Sequence, residues 1–323
     1  MLSKLRIKAG GTLISGVLNT TMRGMRLHPK TWAVRKGIRV HADIEYVEGG
    51  GPKQRLDIYQ PDGADGPLPV FLYIHGGGFR ILSKKTHWMV NYKFAQRGFV
   101  VFSIDYRLVP DGEYPAALQD VMAAVKWITK NGASFGADTS QWFIGGESAG
   151  ANLTLALAIA ACDKRPEPWA SEIYDLNLPI KALFPACGML QVSDCFRFKK
   201  RKPKLPTLLA DRISSVCQEY LGDESNAGSL ADPLVILESD WVPERPFPPT
   251  MSLVGTKDPI IDDTRRLGRA LDDRKIPNSI QIYPGGIHGF HIAFWTERGQ
   301  RAWADQFDFL NAYYPVGADG GPS

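Results

Sequence analysis

The chain has 323 residues, 44% of them hydrophobic and 22% charged. That is globular composition, enough for one large core in a single domain with an insertion. The net charge of +4 is too small to mark a nucleic-acid binder, and no run of 18 apolar residues occurs, which excludes a spanning helix.

The charge is unevenly spread. The first 42 residues hold nine Lys or Arg and no acidic residue. Lys4, Arg6 and Lys8 precede a mildly apolar stretch, but Gly10, Gly11, Ser15 and Gly16 break it, so a secretory signal is not expected. A second basic run holds Arg197, Lys199, Lys200, Arg201, Lys202 and Lys204. A solvated surface is the first reading of both runs. Weak contact of the N-terminus with a membrane surface, or contact with an anionic substrate, is the alternative. Cys162, Cys187, Cys195 and Cys217 form no CxxC pair, so no metal site is expected. Cys162 and Cys187 lie in apolar stretches, as buried free thiols of a reducing, cytoplasmic compartment do.

Residues 1–42 precede the first strand-like run. Residues 55–59 alternate in hydrophobicity, and short continuous apolar runs follow at 70–74, 99–104, 142–144, 180–184, 250–254 and 280–283. Such runs suit strands buried on both faces of a parallel sheet. Helical patterns lie between them, at 116–127, 149–162, 263–275 and 297–313. The stretch 149–162 is nearly all apolar, which predicts a central, buried helix. Alternating strands and helices predict an α/β fold, a mostly parallel sheet flanked by helices. Residues 188–245 break the alternation with prolines, charges and one helical pattern at 208–220. An insertion there stands above the carboxyl ends of the strands, where open α/β sheets bind ligands.

The chemistry starts at Gly146-Glu147-Ser148-Ala149-Gly150, between a strand-like and a helix-like run. A serine there occupies a sharp turn that holds its hydroxyl above the sheet. Alone, the motif is as readily a surface turn. Its context is His75-Gly76-Gly77-Gly78 after the run at 70–74. Attack of Ser148 on a carbonyl would place negative charge on its oxygen, and the N–H groups of Gly76, Gly77 and Ala149 are the natural donors to it. A phosphate loop is the other reading of three glycines, but no Lys-Ser/Thr follows. The hydroxyl needs a base. His288, in a loop just after a strand-like run, is well placed. His291 reads as a packed residue and His75 as part of the glycine loop. Asp258, after the run at 250–254, supplies the carboxylate that orients the base. Asp262 and Asp263 open the next helix, where acidic residues partner the helix dipole at a worth of about 1 kcal/mol. The order Ser148, Asp258, His288 is that of the α/β-hydrolases.

Four segments then carry a resemblance over about residues 54–310: His75-Gly-Gly-Gly-Phe79; Asp105-Tyr-Arg-Leu-Val-Pro110 with Tyr114-Pro-Ala-Ala-Leu118; Gly146-Glu-Ser-Ala-Gly150 with Asn152; and Asp258 with His288-Gly-Phe290. The chain resembles the hormone-sensitive-lipase-like α/β-hydrolases, the bacterial family IV esterases. No catalytic role for the second segment follows from the residues themselves. The resemblance implies a short-chain ester hydrolase without cofactor, an oxyanion hole from the glycine loop, and a two-piece helical cap. The expected division is cap at 1–42, core at 43–187, cap insertion at 188–245 and core again at 246–323. Members of the group most often carry Asp-Ser-Ala-Gly-Gly at the turn, whereas this chain has Glu147 and Ala151. An amidase or formamidase, or a carbohydrate deacetylase, would use the same triad. A non-catalytic receptor of this fold lacks the base histidine, which this chain retains. The expected partner is a small-molecule ester.

Overall fold

A computed structural model describes residues 30–314 together with Gly16, Thr20 and Gly24. The strands are β1 (Ile38–Glu45), β2 (Arg55–Pro61), β3 (Leu68–Ile74), β4 (Val100–Ile104), β5 (Ala137–Glu147), β6 (Ile180–Ala186), β7 (Thr250–Gly255) and β8 (Asn278–Tyr283). They form one sheet in the order β1-β2-β4-β3-β5-β6-β7-β8. The pairs β1–β2 and β2–β4 are antiparallel and the other pairs parallel.

Every residue of β3 and β4 is buried, which is why their sequences are nearly continuous apolar runs. Alternate residues serve opposite faces. Val70, Leu72 and Ile74 join a core with the helices Ala116–Asn131 and Ala149–Cys162. Phe71 and Tyr73 join a second core with the helices Trp88–Ala95 and Glu297–Asn311. The sheet is thus covered on both sides, as the alternation of elements predicts. The helix Ala149–Cys162 is buried along its whole length, which accounts for its near-total apolar composition.

Three elements differ from the expectation. The first strand begins at Ile38, so a boundary between residues 42 and 43 runs through β1. No residue of β1 is buried, and a strand wet on both faces leaves no apolar run to read. The helices Trp88–Ala95 and Pro168–Asp175 were not expected. The segment 188–245 contains the helices Arg197–Arg201, Thr207–Leu221 and Pro233–Glu238 and, among the described residues, no strand. Most of the expected N-terminal cap segment, residues 1–29, lies outside the described residues apart from Gly16, Thr20 and Gly24.

Candidate active site

Strand β5 ends at Glu147 and the next helix opens at Ala149, so Ser148 makes the turn alone. Its φ of 56° and ψ of −111° are rarely adopted by L side chains and persist only where the surroundings fix them. Here the Ser148 N–H donates to the Ala186 carbonyl at 2.9 Å, and its own carbonyl accepts from Met189 N–H at 3.2 Å. Glycine is needed at both ends for space. A Cβ on Gly146 would lie 2.4 Å from the Gly150 oxygen, and one on Gly150 would lie 2.0 Å from the Ile74 oxygen.

The loops after β7 and β8 carry Asp258 and His288, and His288 Nδ1 lies 2.8 Å from Asp258 Oδ2. Asp258 is buried, and its other oxygen accepts from Ile260 N–H at 2.9 Å. The carboxylate therefore holds the proton on Nδ1 and leaves Nε2 as the basic nitrogen. Burial by itself would lower the pKa of His288, but the charge and hydrogen bond of Asp258, with help from Glu147, raise it above the ordinary histidine value. The side chain keeps 36% of its surface exposed. Among the described residues no hydrogen bond joins Ser148 to His288. The two share one neighbourhood through Cys187, whose thiol lies against the backbone amides of Ser148 and Gly289.

The glycine loop faces Ser148: a Cβ on Gly76 would stand 3.4 Å from Ser148 Cβ. Among the described residues, none accepts a hydrogen bond from the N–H groups of Gly76, Gly77 or Ala149. His75 is buried and its Nδ1 lies 2.7 Å from the Gly76 oxygen. Burial, together with nearby His87, holds its pKa well below the ordinary value, so it is a neutral donor that shapes the loop. The segment from Asp105 to Pro110 acts as its buttress. Tyr106 stacks on the His75 ring at 4.5 Å and donates its hydroxyl to the His75 carbonyl at 2.9 Å. Asp105 accepts from Lys84 N–H at 2.8 Å, and Val109 N–H donates to the Phe79 carbonyl at 2.8 Å.

Residues 71–292 match a family described as alpha/beta hydrolase fold. Versiconal hemiacetal acetate esterase from Dothistroma septosporum is 30% identical over 258 residues, 77% of this chain and 75% of that protein. The chain belongs to the hormone-sensitive-lipase-like esterases of the α/β-hydrolase fold. Esterase LipI from Mycobacterium tuberculosis is 28% identical over 238 residues, 71% of this chain and 67% of that one. The crystal structure of esterase B from Lactobacillus rhamnosis shares the fold with a TM-score of 0.79 at 17% identity, over 97% of this chain and 96% of that chain.

In this α/β-hydrolase the insertion reaches the site through residues that the sequence left as a basic run. Lys202 Nζ donates to the carbonyls of Asp258 at 3.0 Å and Pro259 at 3.1 Å, so the insertion holds the loop of Asp258. Tyr220 stacks on Phe79 at 3.6 Å, directly after the glycine loop, and Arg80 pairs with Glu219. Arg197 is buried, not solvated, with Nη2 2.6 Å from Asp263 Oδ2. Asp263 also accepts from Leu190 N–H at 3.0 Å. Asp263 does lie in the first turn of the helix Ile261–Asp273, as the sequence suggests, and in addition it anchors the insertion to the core through a buried ion pair. Asp262 keeps the simpler role, 3.4 Å from Arg265. Lys200, Arg201 and Lys204 are exposed, as the solvated-surface reading requires.

Two groups of side chains stand close enough to share an ion: Glu147, Cys187 and His291, and Cys187, Asp258 and His288. Both depend on Cys187, whose thiol burial pushes well above the usual range. The second group is also the hydrogen-bonded acid–base pair already described. No helix among the described residues is long and apolar enough to cross a membrane.

Proposed function

We propose that this carboxylic ester hydrolase cleaves short-chain acyl esters through an acyl-enzyme on Ser148, with His288 as base, Asp258 as its orienting acid, and Gly76, Gly77 and Ala149 as oxyanion donors. The observation that carries the reading is the 2.8 Å Asp258–His288 contact at the sheet edge where Ser148 is held at φ 56°. His288 Nε2 takes the hydroxyl proton as Ser148 Oγ bonds to the ester carbon. The carbonyl oxygen becomes an oxyanion, met by the three N–H groups and by the N-terminal end of the helix Ala149–Cys162. Collapse expels the alcohol, protonated by His288. Water, deprotonated by the same nitrogen, then releases the acid and restores Ser148.

A short acyl chain is supported by the insertion over the site, with Tyr220 against Phe79, and by the acetate ester named for the Dothistroma relative. The four cysteines, all free and buried, support a reducing, cytoplasmic compartment. Weak contact of the basic N-terminus with an anionic membrane is supported by its nine cations, and liposome co-sedimentation with and without residues 1–35 tests it. The main test is kcat/KM on p-nitrophenyl esters from acetate to palmitate, beside an aryl amide and acetylated xylan. The best substrates are expected at about C2 to C6, with the amide far slower. Highest efficiency on palmitate, on the amide or on xylan acetate would overturn the reading.

A further inference from the structure

Behind the nucleophile lies a second set of titratable groups that hydrolysis does not use. Glu147, the residue before Ser148, is 5% exposed. His291 Nε2 lies 3.3 Å from its Oε2, and His87 Nε2 lies 3.7 Å from its Oε1. These come from separate elements. His87 precedes the helix Trp88–Ala95 and is fixed by Thr86 Oγ1, 3.0 Å from its Nδ1. His291 sits three residues beyond the base, and its carbonyl accepts from Trp303 Nε1 at 3.0 Å. The carboxylate also lies directly under the loop of the base: a Cβ on Gly289 would stand 3.4 Å from Glu147 Oε1. Tyr73 of β3 and Cys187 after β6 complete its surroundings. Burial first, and the Glu147 charge second, push the Tyr73 hydroxyl and the Cys187 thiol far above their usual ranges, so both stay neutral.

Among the described residues the ionic partners of Glu147 are histidines, with no Lys or Arg in contact. Burial would raise its pKa, but His87, His291 and His288 around it hold it down to about 2. His291 is itself pushed down, by burial first and then by His87 and His288, against the pull of Glu147. An ionised carboxylate therefore sits beside the loop of the base with no permanent cation to cancel it. We propose that Glu147 is a positioning residue for His288. Its charge, held in place by His87 and His291, joins that of Asp258 in stabilising the imidazolium formed when Ser148 gives up its proton. Through His291 it also fixes the loop 288–291.

This inference rests on His288 being the base, and the test separates the two. The measurement is the pH profile of kcat/KM on p-nitrophenyl acetate, with live sites counted by phosphonate titration. Loss of the Glu147 charge destabilises the imidazolium, so in Glu147→Gln the acid limb moves to lower pH by roughly half a unit to one unit. Its plateau should fall about tenfold with KM within twofold. Glu147→Asp keeps the charge and should keep the limb at its wild-type position. A Glu147→Gln limb at the wild-type position overturns the inference whatever its rate. A wild-type profile with no acid limb overturns instead the assignment of His288. Histidine ¹⁵N NMR of the wild-type protein supplies a test that needs no variant. His291 should stay neutral at pH 7, and its protonation there would cancel the charge and sink the proposal.

Discussion

Replacing Asp263 with Asn removes the charge that anchors the insertion to the core. Its side chain is 0% exposed and that of its partner Arg197 is 4% exposed. Burial pushes the Asp263 carboxyl above the usual range even with Arg197 and Arg266 pulling it down, so desolvation is a real opposing term. The net worth of the pair is therefore smaller than the cost of breaking it. Breaking leaves a buried guanidinium without its counter-charge, at about 3–5 kcal/mol. Asn retains one acceptor oxygen for Leu190 N–H or Arg197, which places the expected loss near the lower end, about 3 kcal/mol. At an unfolding entropy of roughly 2 cal/mol/K per residue, that lowers Tm by about 4–5 °C for a chain of this length. The assay is a thermal melt by circular dichroism, with turnover on p-nitrophenyl acetate measured at 25 °C. Turnover should stay within a few-fold of wild type. The double variant Arg197→Met with Asp263→Leu should recover only part of the stability, because the apolar pair carries no desolvation cost but leaves the Leu190 N–H without its acceptor. A Tm lowered by no more than about 1.5 °C is what a mere first-turn dipole partner would give. That result would refute the anchor.

Asp258→Asn should behave in the opposite way, cutting kcat by ~10⁴ because His288 loses the partner that fixes its tautomer, while the oxyanion donors remain. Titration of the Asp258→Asn protein with a phosphonate should be correspondingly slow, and a rate within tenfold of wild type would disqualify Asp258 as the acid. His288 works as a base only when neutral, and its pKa is raised, so kcat/KM should climb with pH through an acid limb above the ordinary histidine value of about 6.5. A limb below pH 6 on a non-ionising ester would contradict the Asp258 and Glu147 environment assigned to it. Lys202→Met frees the carbonyls of Asp258 and Pro259 and should lower kcat about three- to tenfold with little change in Tm. Unchanged kcat would show that the insertion does not steady the acid loop.

What the sequence reveals depends on whether a residue's environment is local. The buried strands β3, β4 and β7 are legible because both faces lie in the core and nearly every position is apolar. Strand β1 is not, because neither face is buried. Ser148, Asp258 and His288 could each be placed from a strand run just before it, since this fold puts its chemistry at the carboxyl ends of strands. The task of Asp105 and Tyr106 is hidden because their partner His75 is some thirty positions upstream, and the contact is a ring stack and a hydroxyl reaching a main-chain carbonyl. Arg197 is indistinguishable in sequence from Lys200 and Arg201, yet it alone of the three is buried, on a carboxylate 66 positions away. Glu147 is visible as a departure from the usual aspartate of the turn, but His87 and His291 reach it only through the folded sheet.

The central claim is that one serine carries the acyl group. Treatment with a p-nitrophenyl phosphonate, followed by intact and peptide mass spectrometry, tests it directly. One equivalent of phosphonyl group should be found on the peptide containing Ser148, with activity lost in proportion. Ser148→Ala, folded to the same melting curve, should take up none and lose ~10⁴ to 10⁶ in rate. An adduct on another residue, or a Ser148→Ala protein hydrolysing p-nitrophenyl acetate at the wild-type rate, would contradict the account.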